Sequence, residues 1–257
     1  MSVDSRLPAT LKFISVLGLF AGFIGEGILR NLWAGFFGIQ KFELQRARAE
    51  SISRYSRWTL KTLGIEVESN LGSSVSTGLW VGNHISYVDV LVIASEFPCS
   101  FVTSVEVQET PVLGWITRLA GCVHVERRNR DHLEDETRQL RVMLQAGIPI
   151  ILFPEGTSTP SETVLPFRPT LFQAAIDAGV ATHTFHLRHS SSEIAYFGDH
   201  TFMSHLWRIC QMSKSVSRLD FIETFPFPWS DRKTLAAHCH HAVSSFHASF
   251  TPVSRTP

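Results

Sequence analysis

Three short stretches of this chain carry residue types that can move a proton or hold an anion. The first is Val81-Gly82-Asn83-His84-Ile85-Ser86-Tyr87-Val88-Asp89. The apolar run Gly78-Leu79-Trp80-Val81-Gly82 reads as a short buried strand. Val88, Leu91 and Val92 then begin a helical pattern that Ser86 is placed to cap. His84 therefore stands on the strand-to-helix turn, and Asp89 follows five residues on, in the first helical turn. A turn that folds back brings the carboxylate to one imidazole nitrogen and leaves the other for a substrate. Such a pair suits the deprotonation of a hydroxyl. Ser86-x-x-Asp89 is also a capping box, which needs no chemistry.

The second stretch is Phe153-Pro154-Glu155-Gly156-Thr157-Ser158, directly after the apolar run Ile150-Ile151-Leu152-Phe153. Pro154 stops the strand, and Gly156 permits a tight turn with free backbone N–H groups. Turns at the carboxyl ends of strands form the usual ligand crevice of α/β sheets. The third is Gly121-Cys122-Val123-His124-Val125-Glu126-Arg127-Arg128-Asn129-Arg130. Guanidinium groups at a strand end fit a phosphate or carboxylate through forked hydrogen bonds. For Arg128 and Arg130 a solvated basic turn is the simpler reading.

The elements that must position these stretches alternate. Strands are expected near 65–69, 78–82, 99–105, 121–126, 148–153, 180–186 and 218–224. Helices are expected near 87–96, 111–119, 131–146, 168–178 and 231–249. This pattern predicts an α/β fold with a central, mostly parallel or mixed sheet flanked by helices. The α/β domain spans 64–257 and follows a membrane-associated helical segment over 1–63.

That first segment is greasy and basic. Residues 1–64 hold nine Lys and Arg against four acids, a net +5 in a chain whose total is +0. An apolar surface of this kind suits anionic lipid and not nucleic acid. Leu11 to Ile24 and Ile28 to Ile39 are two apolar runs interrupted by Gly25-Glu26-Gly27. The first is shorter than the ~20 residues a free-standing span needs. The pattern predicts a helical hairpin embedded in one leaflet, with a single tilted span as the alternative. Glu26 and Arg30, four apart with the acid first, are placed to pair on a helix. Residues 41–63 are amphipathic, with Ile52, Tyr55, Thr59 and Leu63 on one side and Arg46, Arg54, Arg57 and Lys61 on the other. The start, with Asp4 beside Arg6 and no small-residue cleavage site, does not read as a cleaved signal peptide.

Four cysteines without regular spacing read as reduced thiols. His238 and His241 lie three apart on a helix without a carboxylate or cysteine at ligand spacing, so no metal site is expected. No G-x-S-x-G elbow announces a serine nucleophile.

Together, Asn83-His84-x4-Asp89, Gly121-x5-Arg127 and Phe153-Pro154-Glu155-Gly156-Thr157 resemble the glycerolipid acyltransferase family. The likeness covers roughly residues 40–230, including Arg57-Trp58 and Leu165-Pro166-Phe167-Arg168. It implies an O-acyltransferase that moves a fatty acyl group from acyl-CoA or acyl carrier protein to a lysophospholipid, foremost 1-acylglycerol-3-phosphate. Another lysolipid acceptor, such as a lyso-aminolipid, and an inactive lipid-binding relative are the alternatives. By the resemblance, His84 and Asp89 are catalytic, and Arg127, Glu155, Gly156 and Thr157 bind the acceptor. No cofactor beyond the thioester co-substrate is implied, and the setting is a membrane, at the cytoplasmic face of the inner membrane. Val180-Ala181-Thr182-His183-Thr184-Phe185 stands where the family's fourth motif usually carries a proline, and has none. Glu155 is expected to orient Arg127 or to accept from an acceptor hydroxyl.

Overall fold

A computed structural model describes residues 7–72, 77–126, 133–160, 163–198 and 201–250. Two long helices come first, α1 (Ala9–Phe37) and α2 (Lys41–Leu63). Strands β1 (Ile65–Ser69) and β2 (Leu79–Gly82) lead to α3 (Val88–Glu96) and β3 (Ser100–Ser104). Short helices α4 (Val105–Glu109) and α5 (Leu113–Leu119) precede β4 (Val123–Val125). Then come α6 (Leu133–Gln145), β5 (Ile150–Leu152), α7 (Gln173–Ala178) and β6 (Thr182–His189). Helix α8 (Phe202–Gln211), β7 (Ser215–Phe225) and α9 (Arg232–Ala248) complete the described chain.

The seven strands form one sheet in the order β1-β7-β6-β2-β5-β3-β4. Every neighbouring pair is parallel except β6 with β7, so the sheet is mixed. Both faces are covered, and β2 and β5 at the middle of the sheet carry no polar side chain for that reason. Along β2, Leu79 and Val81 enter one core with residues of α6, α7 and α9. Trp80, between them, enters the other with residues of α1, α2, α3, α5 and α8. Burying each such side chain stabilises the fold by about 1.5–3 kcal/mol.

The break expected at Gly25-Glu26-Gly27 does not occur: α1 is one helix through it, not a hairpin of two. A Cβ on Gly27 would come within 3.0 Å of Leu119, so this glycine lets α1 pack closely on α5. Glu26 accepts from Ser51 at 2.8 Å and from Arg54 at 2.7 Å, and pairs with Arg30 at 3.3 Å. The Gly-Glu-Gly segment is thus a contact point between helices. The chain turns only at Gly38, whose φ of 67° ends α1 in the left-handed region.

Helix α1 has two sides. Val16, Phe23 and Ala34 are buried against the body, while Leu11, Ile14, Leu29, Leu32, Trp33 and Phe36 stand exposed on an apolar outer stripe. Lys12, the one cation of the first apolar run, is buried, and its Nζ donates to Leu63 O at 2.8 Å and Met212 O at 2.9 Å. A buried cation thereby satisfies the ends of α2 and α8 together. In α2, Ile52, Thr59 and Leu63 face the core, and Arg46, Arg54, Arg57 and Lys61 are exposed. Trp58 stands exposed beside Arg54.

Strands β6 and β7 run past the spans expected for them. Their antiparallel pairing continues from Thr182↔Phe225 to His189↔Ser217. The added residues include Arg188 and His189 on β6 and Ser215 and Ser217 on β7, polar side chains that end the apolar signal in the sequence before the strands end. Helix α8 was not expected from the sequence, although Leu206, Ile209 and Cys210 on it are buried.

Candidate active site

Strands β2 and β5 are parallel neighbours, so the turns that leave them meet at one edge of the sheet. Gly82 ends β2 where a Cβ would sit 2.4 Å from the Phe185 ring and 2.5 Å from its carbonyl oxygen. Only glycine fits there. The Asn83 side chain donates to Leu187 O at 2.9 Å and accepts from Leu187 N at 2.7 Å, tying the turn to β6. His84 follows, with its ring stacked on Phe153 at 4.1 Å between centroids.

His84 Nδ1 lies 2.9 Å from Asp89 Oδ2. The same oxygen accepts from Ile85 N at 2.7 Å and Ser86 N at 3.0 Å, while Ser86 Oγ accepts from Val88 N at 3.2 Å. The helix-capping arrangement and the His–Asp pair are therefore one structure: capping is what aims the carboxylate at the imidazole. Asp89 Oδ1 lies 2.8 Å from His189 Nε2, and His189 Nδ1 lies 2.8 Å from Ser217 Oγ. Asp89 is fully buried. Burial opposes its ionisation, but hydrogen bonds from His189 and His84 outweigh that and hold it well below the usual carboxylate range. With Nδ1 engaged, His84 keeps Nε2 for the cavity that it lines.

Glu155, which the resemblance assigns to the acceptor, is buried beside the His84 turn. It is 2% exposed, and its oxygens accept from His84 N and Leu165 N, both at 2.8 Å. Burial raises its pKa, against the pull of these two N–H groups. Its carboxylate accepts from backbone and ties the His84 turn to the segment after Glu155. Thr159 N completes the link by donating to His84 O at 2.9 Å. Gly156 has φ +77°, and a Cβ on it would meet the Arg168 guanidinium carbon at 2.9 Å. Gly156, Thr157 and Ser158 line the cavity. Arg127 lies outside the described residues; β4, which precedes it, ends at the same edge of the sheet as β2 and β5.

The cavity measures about 1010 Å³. His84 lines it, together with apolar walls that include Phe20 and Phe23 of α1, Ile52 of α2 and Leu91 of α3. Arg168, Arg232 and Lys233 line it too, as do Glu126 and Glu136, so a mainly apolar space has charged parts. Among the described residues, no three His, Cys, Asp or Glu side chains gather as a metal site.

Sequence reasoning missed His189. It lies 100 residues from Asp89, in a segment with His183 and His186, and nothing local marks it. Its signal is topological: it ends a strand that neighbours β2.

The acyltransferase family model matches residues 65–187. A lyso-ornithine lipid O-acyltransferase of Pseudomonas aeruginosa is 27% identical over 248 residues, covering 93% of each chain. A 1-acyl-sn-glycerol-3-phosphate acyltransferase of Neisseria meningitidis serogroup B is 31% identical over 183 residues, covering 68% of this chain and 72% of the relative. The crystal structure of the 1-acyl-sn-glycerophosphate (LPA) acyltransferase PlsC from Thermotoga maritima superposes with a TM-score of 0.66. At 20% identity over 97% of this chain and 96% of that one, it establishes the shared fold. Matched along its α/β body by the family model and over most of its length by these relatives, the chain belongs to the glycerolipid acyltransferase family and is an acyltransferase.

Proposed function

We propose that this enzyme transfers a fatty acyl group from a thioester, acyl-CoA or acyl carrier protein, to the free hydroxyl of a lysolipid. The observation that carries the reading is the contact of His84 Nδ1 with buried Asp89, in a histidine that lines a large, mainly apolar cavity. His84 takes the hydroxyl proton as that oxygen attacks the thioester carbonyl carbon. Asp89 fixes the ring and stabilises the imidazolium. Backbone N–H groups of Thr157 and Ser158, in the turn after Gly156, are the donors for the tetrahedral oxyanion. Collapse breaks the C–S bond, and the departing thiolate takes the proton back from His84. An ester and a free thiol result, with no covalent enzyme intermediate.

The acyl chain lies along the apolar walls, and the acceptor's anionic group lies toward Arg168, Arg232 and Lys233, with Arg127 as a further candidate. In this reading the acceptor is 1-acylglycerol-3-phosphate and the product phosphatidic acid. Lyso-ornithine lipid is the second reading, favoured by the full-length match to the Pseudomonas aeruginosa enzyme. The outer stripe of α1 enters the lipid, with the basic residues of α2 near anionic headgroups. A thioester donor and four free cysteines favour the cytoplasmic face of the inner membrane as the setting of the site.

Purified enzyme offered each lysolipid with acyl-CoA or acyl carrier protein, with products read by mass spectrometry, tests the assignment. Phosphatidic acid as main product supports the first reading, and acylated ornithine lipid replaces it with the second. His84→Ala should lose turnover by about 10²–10⁴-fold, the usual contribution of general base catalysis. Wild-type turnover in that variant overturns the mechanism.

A further inference from the structure

The carboxylate that holds His84 is itself held from its far side. Asp89 Oδ2 is fully occupied by His84 Nδ1 and two backbone N–H groups, whereas Oδ1 has one partner among the described residues, His189 Nε2 at 2.8 Å. The His189 side chain is 3% exposed. Its other ring nitrogen meets Ser217 Oγ at 2.8 Å, and Ser217 is the residue paired with His189 across β6 and β7. An imidazole trapped in this way keeps one orientation. Asp89 needs that donor: a buried carboxylate oxygen without a partner carries its full desolvation cost.

We propose that His189 is a positioning residue for the acyl transfer, acting through Asp89 on His84. This rests on the general-base reading above and extends it from a pair to a row of His84, Asp89, His189 and Ser217. The row spans the sheet edge from the β2 turn, through the first turn of α3, to the β6–β7 pair. Nε2–H of His189 fixes the rotation of the carboxylate about its Cβ–Cγ bond, so that Oδ2 stays in line with Nδ1 of His84. It also draws negative charge onto Oδ1, so that the proton accepted by His84 stays on the imidazole until the thiolate collects it. Without this donor Asp89 can turn toward other hydrogen-bond partners, and His84 is left with a weaker and less directed anchor. Substrates do not meet His189, so the effect falls on the chemical step.

The test compares His189→Leu with His189→Gln. Glutamine places an amide N–H near the position of Nε2; leucine fills the space without a donor. Groups that orient a catalytic side chain from behind typically contribute about 10–100-fold to activity. His189→Leu should therefore lose about 10–100-fold in kcat with both substrate KM values within twofold of wild type. His189→Gln should recover at least half of that loss on a logarithmic scale. Thermal melts of both variants are recorded beside the kinetics, and rates are taken per folded protein. If His189→Leu is folded and turns over like wild type, the inference is overturned. It is equally overturned if glutamine is as slow as leucine although both melt like wild type, because a donor to Asp89 is then not what matters. Should the leucine variant fail to fold, the glutamine variant decides alone: a kcat within about 10-fold of wild type supports the role, and a larger loss at unchanged melting temperature removes it. His84→Ala separates the two levels. An active His84→Ala enzyme removes the general-base reading itself, whereas an inactive one beside a fully active His189→Leu removes only the role of His189.

Discussion

Glutamate 155 offers a sharp test of how this site is built, because the sequence pattern and the geometry give it different work. In the structure each carboxylate oxygen takes one backbone N–H at 2.8 Å, from His84 and from Leu165. Glu155→Gln keeps one oxygen and turns the other into an NH2 group that faces an N–H donor. One charge-assisted bond, worth about 1.5–3 kcal/mol, becomes a neutral one of about 1 kcal/mol, and the second is lost. The side chain is 2% exposed, so water does not replace the missing acceptor. Relief of the carboxylate's desolvation, which raises its pKa in the wild type, offsets part of the cost. A net loss of about 2–3 kcal/mol remains. At roughly 2–4 °C per kcal/mol for a chain of this size, the melting temperature should fall by about 4–12 °C. Turnover should fall with it, since the His84 turn loses its tie, while acceptor KM stays within twofold. Melting curves and steady-state kinetics with each substrate varied give both numbers. A variant that melts within a degree of wild type while its acceptor KM rises tenfold would show that Glu155 touches the acceptor, and would refute this reasoning.

Three further outcomes follow from other parts of the molecule. Asp89 is lowered below its ordinary 3.8, so the stability it contributes is complete above that value and drains away as the pH falls below it. Wild-type melting temperature should accordingly drop more steeply below pH 4 than that of Asp89→Asn, and parallel curves would contradict the assignment. Trp33 and Phe36 are 62% and 84% exposed on the outer stripe of α1. The double variant Trp33→Asp, Phe36→Asp should lose most co-sedimentation with vesicles containing anionic lipid while melting within about 2 °C of wild type; undiminished binding would exclude this stripe as the contact. Gly82→Ala forces a Cβ to within 2.4 Å of the Phe185 ring, and overpacking of this kind costs about 1–3 kcal/mol, measurable by urea denaturation. Unchanged stability would mean that β2 and β6 can separate freely.

Much of this architecture is legible in the residues because its causes are local. The His84–Asp89 pair spans five positions at a strand-to-helix turn, and its geometry follows from capping rules that act within one helical turn. Strand-like apolar runs around Leu79, Ile150 and Thr182 announce a sheet covered on both faces. What stays hidden depends on who meets whom across the fold. Glu155 looks like a ligand-binding acid until its partners are seen to be backbone N–H groups, which every sequence has and none displays. His189 is one histidine among several until β6 is found beside β2 and extended by its pairing with β7. Gly25-Glu26-Gly27 reads as a break because glycine usually marks one; here Leu119 and Arg54 supply contacts that keep the helix continuous.

The two-sidedness of α1 has an energetic meaning. Phe20 and Phe23 of this helix form part of the cavity wall, and Trp33 and Phe36 belong to its outer stripe. Lys12 fastens the same helix to the ends of α2 and α8. A force on the outer stripe therefore bears on the cavity wall through a single rigid rod. Occupancy of the cavity and attachment of the outer stripe become thermodynamically linked quantities. If filling the cavity steadies α1, a surface that grips α1 must favour the filled cavity by the same free energy, because such linkage is reciprocal. The helix is thereby a lever between the environment of the protein and the cavity beside His84.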